Sequence, residues 1–540
     1  MVFQSALKTE FFARQDVLDL LQKRIEASQK RYRQNISILG YQSLGKTSLI
    51  LELLRRTKSP DIIPIYIEIK PKSIKDLAKN FIGVLLYQYL SIDNQVLEED
   101  FEYLVKTSKQ KIPRTINHIN QIRKLLKDNK SNDEVYGMLL DLSQVLYEET
   151  QKTILVILDE FHNIEYLGLR NPFLELSNKI MVQKHTMYIL ISSAVHAAQE
   201  LLAEKLSLLF GNFETITLQP FNAVTAKQFI DRKIRNIYMA EDLKNFLIQF
   251  TGGYPFYLDV ITEQLKTSCL ESKSESITEE ILLSSLAETM FNDHGILNQF
   301  FNNKFYRFLN NSNMTVFASI LLAIAKGHKK PSQMGSYLNR KTPDINRYLN
   351  KLLQMDIISK KGIFNHINDT LFENWLKFVL QRKQNSFDID MQLATQKFKD
   401  DIKQNVDNFM NESRKDITLR LKEAFECFEN DIVELDKKRF MLTRFDEIVI
   451  KDSKSIRVVN ARRSNKYWRC YIESDYIDEL KINDLLKDVT ARDCIKKILI
   501  ALDGIDVNAR LKALEARLWI WDLEVLNQLL SLFEKPRFIK

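Results

Sequence analysis

Apolar residues at Val17, Leu20, Leu21 and Ile25 recur at the three- and four-residue spacing of one helix face and predict an amphipathic helix. After a basic, polar connection, Asn35-Ile36-Ser37-Ile38-Leu39 is a short β-prone run, and residues 49–54 resume the helical period after the segment 40–47. The order is strand, tight loop, helix. Residues 62–69 predict a second strand and 74–90 a helix, while 91–132 is polar, charged and weakly periodic, the pattern of a helical insertion. Two more apolar runs, 153–158 and 186–192, predict strands separated by a helix over 171–181. Strands alternating with helices imply an α/β domain whose parallel sheet is covered on both faces.

From Phe221 to about residue 310 the pattern is almost wholly helical, as in a lid-like second lobe. Residues 314–364 show three short helical patterns and then β-prone segments near Ile357 and Ile363, which predicts a winged helix. A charged helical tract over 388–428 predicts a connector or a packed arm. A closing α/β unit has strand candidates at 445–450, 456–459, 468–472 and 495–502. The expected divisions are 1–220 for the sheet domain, 221–310 for the helical lid, 311–385 for the winged helix, 386–424 for a helical connector and 425–540 for the closing domain.

Composition narrows the classes. With 13 glycines and 10 prolines in 540 residues, turn-dense all-β and collagen-like designs are excluded. Hydrophobic residues at 45% and charged residues at 27% are ordinary for a globular chain. No apolar run approaches the ~20 residues of a membrane helix, so no membrane partner is expected. Met1-Val2-Phe3-Gln4-Ser5 lacks a basic segment followed by an apolar one, and a cytoplasmic location is expected. Cys269, Cys427, Cys470 and Cys494 lie far apart, which suits separate thiols in a reducing compartment. A net charge of +8 permits contact with nucleic acid without requiring it.

Candidate chemistry begins at Gly40-Tyr41-Gln42-Ser43-Leu44-Gly45-Lys46-Thr47, which fits the full G-x-x-x-x-G-K-[ST] spacing and is followed by Ser48. Glycines let backbone N–H groups turn inward around phosphate oxygens, and the helix that follows presents its positive end to the anion. Lys46 is expected to reach the β- and γ-phosphates, and Thr47 to ligate Mg²⁺. The second half is Ile154-Leu155-Val156-Ile157-Leu158-Asp159-Glu160, an apolar strand that delivers carboxylates at its C-terminal end. Asp159 is the expected Mg²⁺ partner and Glu160 the group that polarises the attacking water. ATP and Mg²⁺ are therefore the expected ligands.

These motifs, together with Phe12-Ala13-Arg14-Gln15-Asp16 and Thr251-Gly252-Gly253-Tyr254-Pro255-Phe256-Tyr257-Leu258, resemble the P-loop ATPases of the AAA+ and STAND grouping, most closely the archaeal-type ATPase family. The resemblance spans about residues 1–380. It implies that Arg14 contributes to the nucleotide site, that Ser192-Ser193 supplies a polar sensor of the γ-phosphate, and that Pro255 lies against the nucleotide's base or sugar. Where the family commonly carries Phe-Gly-Arg, this chain has Phe210-Gly211-Asn212, leaving Arg170, Arg232 and Arg235 as candidates for an arginine acting across an assembly.

In the winged-helix segment, Arg340, Lys341, Arg347 and Lys351 are expected to face outward, with Lys360 and Lys361 on the wing, and duplex DNA is the expected partner. The closing unit resembles restriction-endonuclease-like domains through Phe425-Glu426-Cys427-Phe428-Glu429, Asp446 and Leu518-Trp519-Ile520-Trp521-Asp522. Such nucleases gather an Asp, a Glu and a Lys around Mg²⁺. Here Glu473-Ser474-Asp475 lacks the lysine two residues on and Asn460-Ala461-Arg462 lacks the second acid, so a binding domain without cleavage is expected. The function expected is an ATP-hydrolysing switch that acts on DNA. The alternative is a signalling or defence scaffold that oligomerises with ATP and binds a protein through the closing domain.

Overall fold

Five strands form where β-branched side chains alternate between two cores: β1 (Asn35–Leu39), β2 (Ile62–Glu68), β3 (Thr153–Asp159), β4 (Thr186–Ser192) and β5 (Phe213–Thr217). They pair in the order β2-β3-β4-β1-β5, and every pairing is parallel. On one face lie Ile63, Ile65, Val156, Leu158, Tyr188 and Leu190, packed with the helices Ile74–Ser91, Asn132–Thr150 and Pro172–Val182. On the other, Ile36, Ile38, Leu155, Ile157, Ile189 and Ile191 meet α1 (Gln15–Gln29) and α2 (Lys46–Arg56). The sheet is thus the doubly covered α/β layer that the alternation of elements predicts.

β5 is the strand that the pattern does not reveal. Phe-Glu-Thr-Ile-Thr is an edge strand with no buried residue, so no apolar run marks it. The weakly periodic insertion forms the helices Phe101–Ser108 and Pro113–Lys127, and its Leu104, Ile112, Ile116, Ile119 and Ile122 join the same core as the sheet.

In the computed structural model the described residues are 11–57, 59–92, 97–128, 131–206, 213–309, 314–384, 391–435, 438–452, 457–487 and 494–539. The chain divides into two compact units, 1–220 and 221–540. Phe210-Gly211-Asn212 lies outside the described residues. No helix among the described residues is long and apolar enough to cross a membrane.

The second unit opens with the helices Ala223–Lys233, Glu241–Thr251, Pro255–Ser272 and Glu279–Leu286 and the short parallel pair β6 (Tyr238–Met239) and β7 (Ser276–Ile277). Three helices, Met314–Ala325, Pro331–Leu338 and Thr342–Gln354, are followed by the antiparallel hairpin of β8 (Ile358–Lys361) and β9 (Phe364–Ile367). The aromatics after it, Trp375 and Phe378, are core residues. In the charged tract, Met391–Ser413 buries Phe398, Ile402, Val406 and Phe409 along one stripe, and Phe398 stacks on Phe291 with centroids 5.1 Å apart. It is a packed arm. The helix that includes Phe425 runs Ile417–Glu426, and Asp416 caps it by accepting the Thr418 N–H (2.9 Å). It therefore crosses the 424/425 division.

The closing domain holds a hairpin, β10 (Asp431–Leu435) with β11 (Lys438–Leu442), and a five-stranded sheet ordered β12 (Glu447–Asp452), β13 (Arg457–Arg463), β14 (Lys466–Glu473), β15 (Cys494–Ala501), β16 (Leu518–Asp522). Strands β12 to β14 are antiparallel, and β15 and β16 continue in parallel. Helices Ile417–Glu426 and Leu523–Leu532 cover one face, and Glu479–Lys487 and Val507–Glu515 the other.

The expected wing is not free. At its turn, the Ile363 N–H donates to the Ile432 carbonyl (3.0 Å), and a Cβ at Gly362 would stand 2.1 Å from that oxygen. Gly362 has φ +69°, so both its conformation and its surroundings exclude a side chain. Lys361, expected to face DNA, is only partly exposed, and burial lowers its ammonium pKa to about 8.

Candidate active site

The loop between β1 and α2 is shaped by its own backbone. Ser43 (φ +70°) and Gly45 (φ +82°) take left-handed conformations, and Gly45 caps α2 at its N-terminus. A Cβ at Gly40 would lie 3.1 Å from the Leu218 carbonyl oxygen, so the loop starts in close contact with the chain after β5. The first N–H groups of α2 have no intrahelical acceptor and lie at the positive end of the helix. Lys46 is 7% exposed, and its Nζ donates to the carbonyls of Gly40 (2.7 Å) and Tyr41 (3.0 Å). Burial lowers its pKa, and the charges of Glu160 and Asp159 oppose that shift.

Arg14 braces the same loop. Its Nη2 donates to the carbonyls of Leu44 and Gln219, each at 2.9 Å, and burial lowers its pKa to about 10. Gln42, Thr47 and Ser48 are exposed at the loop surface, whereas Leu44 is buried beneath it.

β4 lies between β1 and β3, so the loop and the acids of β3 converge at the C-terminal edge of the sheet. Asp159 is 4% exposed; its Oδ2 accepts from the Tyr66 hydroxyl (2.7 Å) and its Oδ1 from the Glu160 N–H (2.9 Å). Burial raises the Asp159 pKa, and the Tyr66 hydrogen bond opposes it. Tyr66 also meets the Thr47 side chain, so one phenol links Thr47 to Asp159. Burial and the Asp159 charge raise the Tyr66 pKa, which keeps its hydroxyl a donor.

Glu160 has φ +52°, an uncommon conformation for a side chain of its size. Its Oε2 accepts both the N–H and the hydroxyl of Ser193, each at 2.8 Å. His162 Nδ1 lies 3.4 Å from that oxygen and 2.8 Å from Ser192 Oγ. Burial lowers the His162 pKa, which favours the neutral ring. Gly40 to Ser48, Arg14, Asp159, Glu160 and Ser193 are thus gathered in one region. Pro255 belongs to the second unit, where it opens the helix Pro255–Ser272.

Sequence reasoning missed Tyr66. Its one signal is a polar aromatic ring inside the apolar strand Ile-Ile-Pro-Ile-Tyr-Ile-Glu, two residues before the position that pairs with Asp159. His162 was visible just after the acids, but its contact with Ser192 is made by residues 30 apart. In the closing domain the register separates the acids considered for cleavage. Asp446 donates its N–H to the Arg462 carbonyl at one end of β13, whereas Glu473 follows Ile472, which pairs with Arg457 at the other. Seven residues of strand between them amount to about 20 Å.

Residues 11–261 match the family model described as an ATPase domain predominantly from Archaea. No curated protein matches the chain. Among solved structures, the Walker-type ATPase PABY2304 of Pyrococcus abyssi is 18% identical, with 70% of this chain and 99% of that one covered and a TM-score of 0.48. The Aeropyrum pernix ORC2 protein, in its ADPNP-ADP complexes, is 10% identical with 71% and 99% covered and a TM-score of 0.42. Cdc6p from Pyrobaculum aerophilum is 12% identical with 74% and 98% covered and a TM-score of 0.35. Over residues 11–261 the chain is thus similar to that ATPase domain family, and the loop of residues 40–48, Asp159, Glu160 and Ser193 all lie within the matched region.

Proposed function

We propose that the first unit binds ATP with Mg²⁺ and hydrolyses it to ADP and phosphate, and that the second unit couples this cycle to DNA. The observation that carries the reading is Lys46: an ammonium group 7% exposed, held by two loop carbonyls beside two carboxylates. Burying such a charge is costly unless a polyanion completes its surroundings. In the proposed site the backbone of Gly40 to Ser48 cradles the phosphates and Lys46 reaches the β- and γ-phosphates. Thr47 and Asp159 hold Mg²⁺, for which their link through Tyr66 is suited. Bound Mg²⁺ would neutralise charge on the phosphate oxygens. Glu160 orients a water and accepts its proton as the oxygen attacks the γ-phosphorus and the bond to the ADP oxygen breaks. Ser193 holds Glu160 in place and Arg14 fixes the loop.

Isothermal calorimetry of Mg·ATP with the full chain tests this reading. Wild type is expected to bind and Lys46→Ala to lose most of its affinity; equal heats from both would reject the site.

For DNA, residues 311–385 are read as a winged helix. Arg340, Lys341, Arg347 and Lys351 are exposed along its third helix and the preceding turn. Arg347→Ala with Lys351→Ala is expected to lower the salt dependence of duplex binding by roughly two phosphate contacts. An unchanged slope would remove duplex DNA from the function. A second reading, a STAND-like scaffold that oligomerises with ATP and binds a protein, draws on the seating of the wing turn against Ile432, because a covered wing is unavailable to a duplex. Nucleotide-driven assembly that ignores DNA would favour it. Residues 425–540 are read as an endonuclease-like domain that binds without cleaving.

A further inference from the structure

No local stretch of the sequence alternates basic and aromatic residues, yet the fold of the closing domain brings such residues together from three distant segments. β11, the helix Val507–Glu515 and β16 enclose a cleft of about 690 Å³. That size lies within the ~300–1,000 Å³ typical of ligand clefts. Its lining includes four cations, Lys438, Arg439, Arg510 and Arg517, and the rings of Phe440 and Trp519. All four cations are exposed. The acid in the lining, Asp522, lies 3.4 Å from Arg510 and also caps the following helix through the Val525 N–H. Among the described residues, Lys438, Arg439 and Arg517 make no ion pair.

The aromatic floor is braced from within. Phe440 and Trp519 meet edge to face at 5.2 Å, and Trp519 remains 37% exposed. Lys496 Nζ sits 4.4 Å from the Trp519 ring centroid and 4.2 Å from that of Trp468, fixing the indole between a cation and the cleft. A fixed, half-open indole among four cations offers a stacking surface at the centre and phosphate contacts at the rim. Unpaired bases stack on such rings whatever their sequence, while cations track the backbone. A duplex, whose bases are already stacked, presents no free ring to Trp519.

We propose that this cleft binds single-stranded DNA, with a base against Trp519 and Phe440 and phosphates against Lys438, Arg439, Arg510 and Arg517. Its single carboxylate is already held by Arg510, leaving no side-chain acceptor dedicated to a 2′-hydroxyl, so DNA is favoured over RNA. The cleft is at the β16 edge of the sheet, opposite the β12 edge beside Asp446, and it is independent of the ATP site and of the winged-helix reading.

Fluorescence anisotropy of the full chain without nucleotide tests it, using a labelled mixed-sequence strand of about 16 nucleotides, the matching duplex, the RNA strand and poly-glutamate as competitor. The cleft variants below are expected to lose more affinity for the DNA strand than for the duplex or the RNA. Lys438→Ala with Arg517→Ala is expected to reduce the slope of log K against log salt by about 1.4. Both side chains are exposed, so this variant reports on binding without loss of core packing. Trp519→Ala is expected to weaken binding roughly 5- to 100-fold, with Trp519→Phe retaining most of it. The proposal is overturned if the cleft variants bind the strand as wild type does, if they lose duplex or RNA binding as much as strand binding, or if poly-glutamate displaces the strand at comparable concentration.

Discussion

Acids stand at strand ends in both units, in contrasting surroundings. At the end of β3, Asp159 is 4% exposed, fixed by Tyr66, and shares its region with the Lys46 ammonium. Before β12, Asp446 is exposed and its Oδ2 accepts from the Ser464 N–H on the neighbouring turn, while Glu473 lies at the other end of the sheet. A carboxylate at a strand end is common; what gives it chemistry is a second charge brought to the same edge by the topology. In the first unit β4 separates β1 from β3 by one strand, and the loop after β1 places the cation over the acids. In the second, an antiparallel meander sends successive strand ends to opposite edges.

The largest expected effect breaks this contrast if it fails. Glu160→Gln should retain Mg·ATP binding and lower kcat by about 10²- to 10⁴-fold, as loss of a general base does. Asp446→Asn should leave kcat within about twofold. Steady-state phosphate release on the two variants decides it, and similar losses from both would erase the distinction between the two acids.

Gly362→Ala is expected next in size. The added Cβ would meet the Ile432 carbonyl at 2.1 Å, in a backbone conformation that costs a side chain about 1–3 kcal/mol by itself. The wing turn should then leave β10, lowering the stability of the second unit by about 3 kcal/mol. Hydrogen exchange at Ile363 N–H would report the loss, with the first unit's amides unchanged.

The phosphate loop and its acids were legible because a short contiguous pattern with strict residue types encodes them. Strands β1 to β4 were legible because each is an apolar run. β5 escaped because none of its five residues is buried, and β10 and β11 because each is only five residues long and mixes charged and apolar residues on both faces, with Asp431 buried and Ile432 and Met441 exposed. Tyr66 escaped because its partner, Asp159, is 93 residues away and reaches it through strand register. Spacing alone makes Lys361 a wing cation, and only the arrival of β10 and the C-terminal segment makes it a partly buried group. The cleft at β16 escaped for the same reason: its cations and rings come together only after residues 438, 510 and 519 are folded into one wall.

Ser193→Ala sharpens the account of Glu160. The variant loses the hydroxyl donor at 2.8 Å but keeps the backbone N–H at the same distance. One charge-assisted hydrogen bond of about 1.5 kcal/mol predicts roughly a tenfold fall in kcat. KM should stay unchanged if Ser193 positions Glu160, whereas KM should rise if the hydroxyl contacts the phosphates directly. Ser193→Thr should restore most of the rate, and its pre-steady-state phosphate burst would separate the two roles.

The smallest effect concerns Lys496, whose pKa burial lowers from 10.5 to about 8. Below pH 8 both the folded and the unfolded chain carry its proton, and the folded state bears the cost of the partly buried charge. As pH rises through about 8 the folded state sheds that proton, while the unfolded state keeps it to about 10.5. The unfolded chain then binds more protons, so this residue's contribution to stability rises with pH across that window. Lys361, lowered to about 8 by its own burial, acts with the same sign. Because Lys496 is only partly buried, screening by the remaining solvent reduces the effect to about a degree or two in the Tm of the second unit. Lys496→Met has no proton to lose, so its Tm relative to wild type should fall between pH 8 and 10.5 and stay level below pH 7. Parallel Tm curves for the two proteins would mean that Lys496 keeps an ordinary ammonium between Trp468 and Trp519, and that the indole at the cleft is fixed by packing rather than by a desolvated cation.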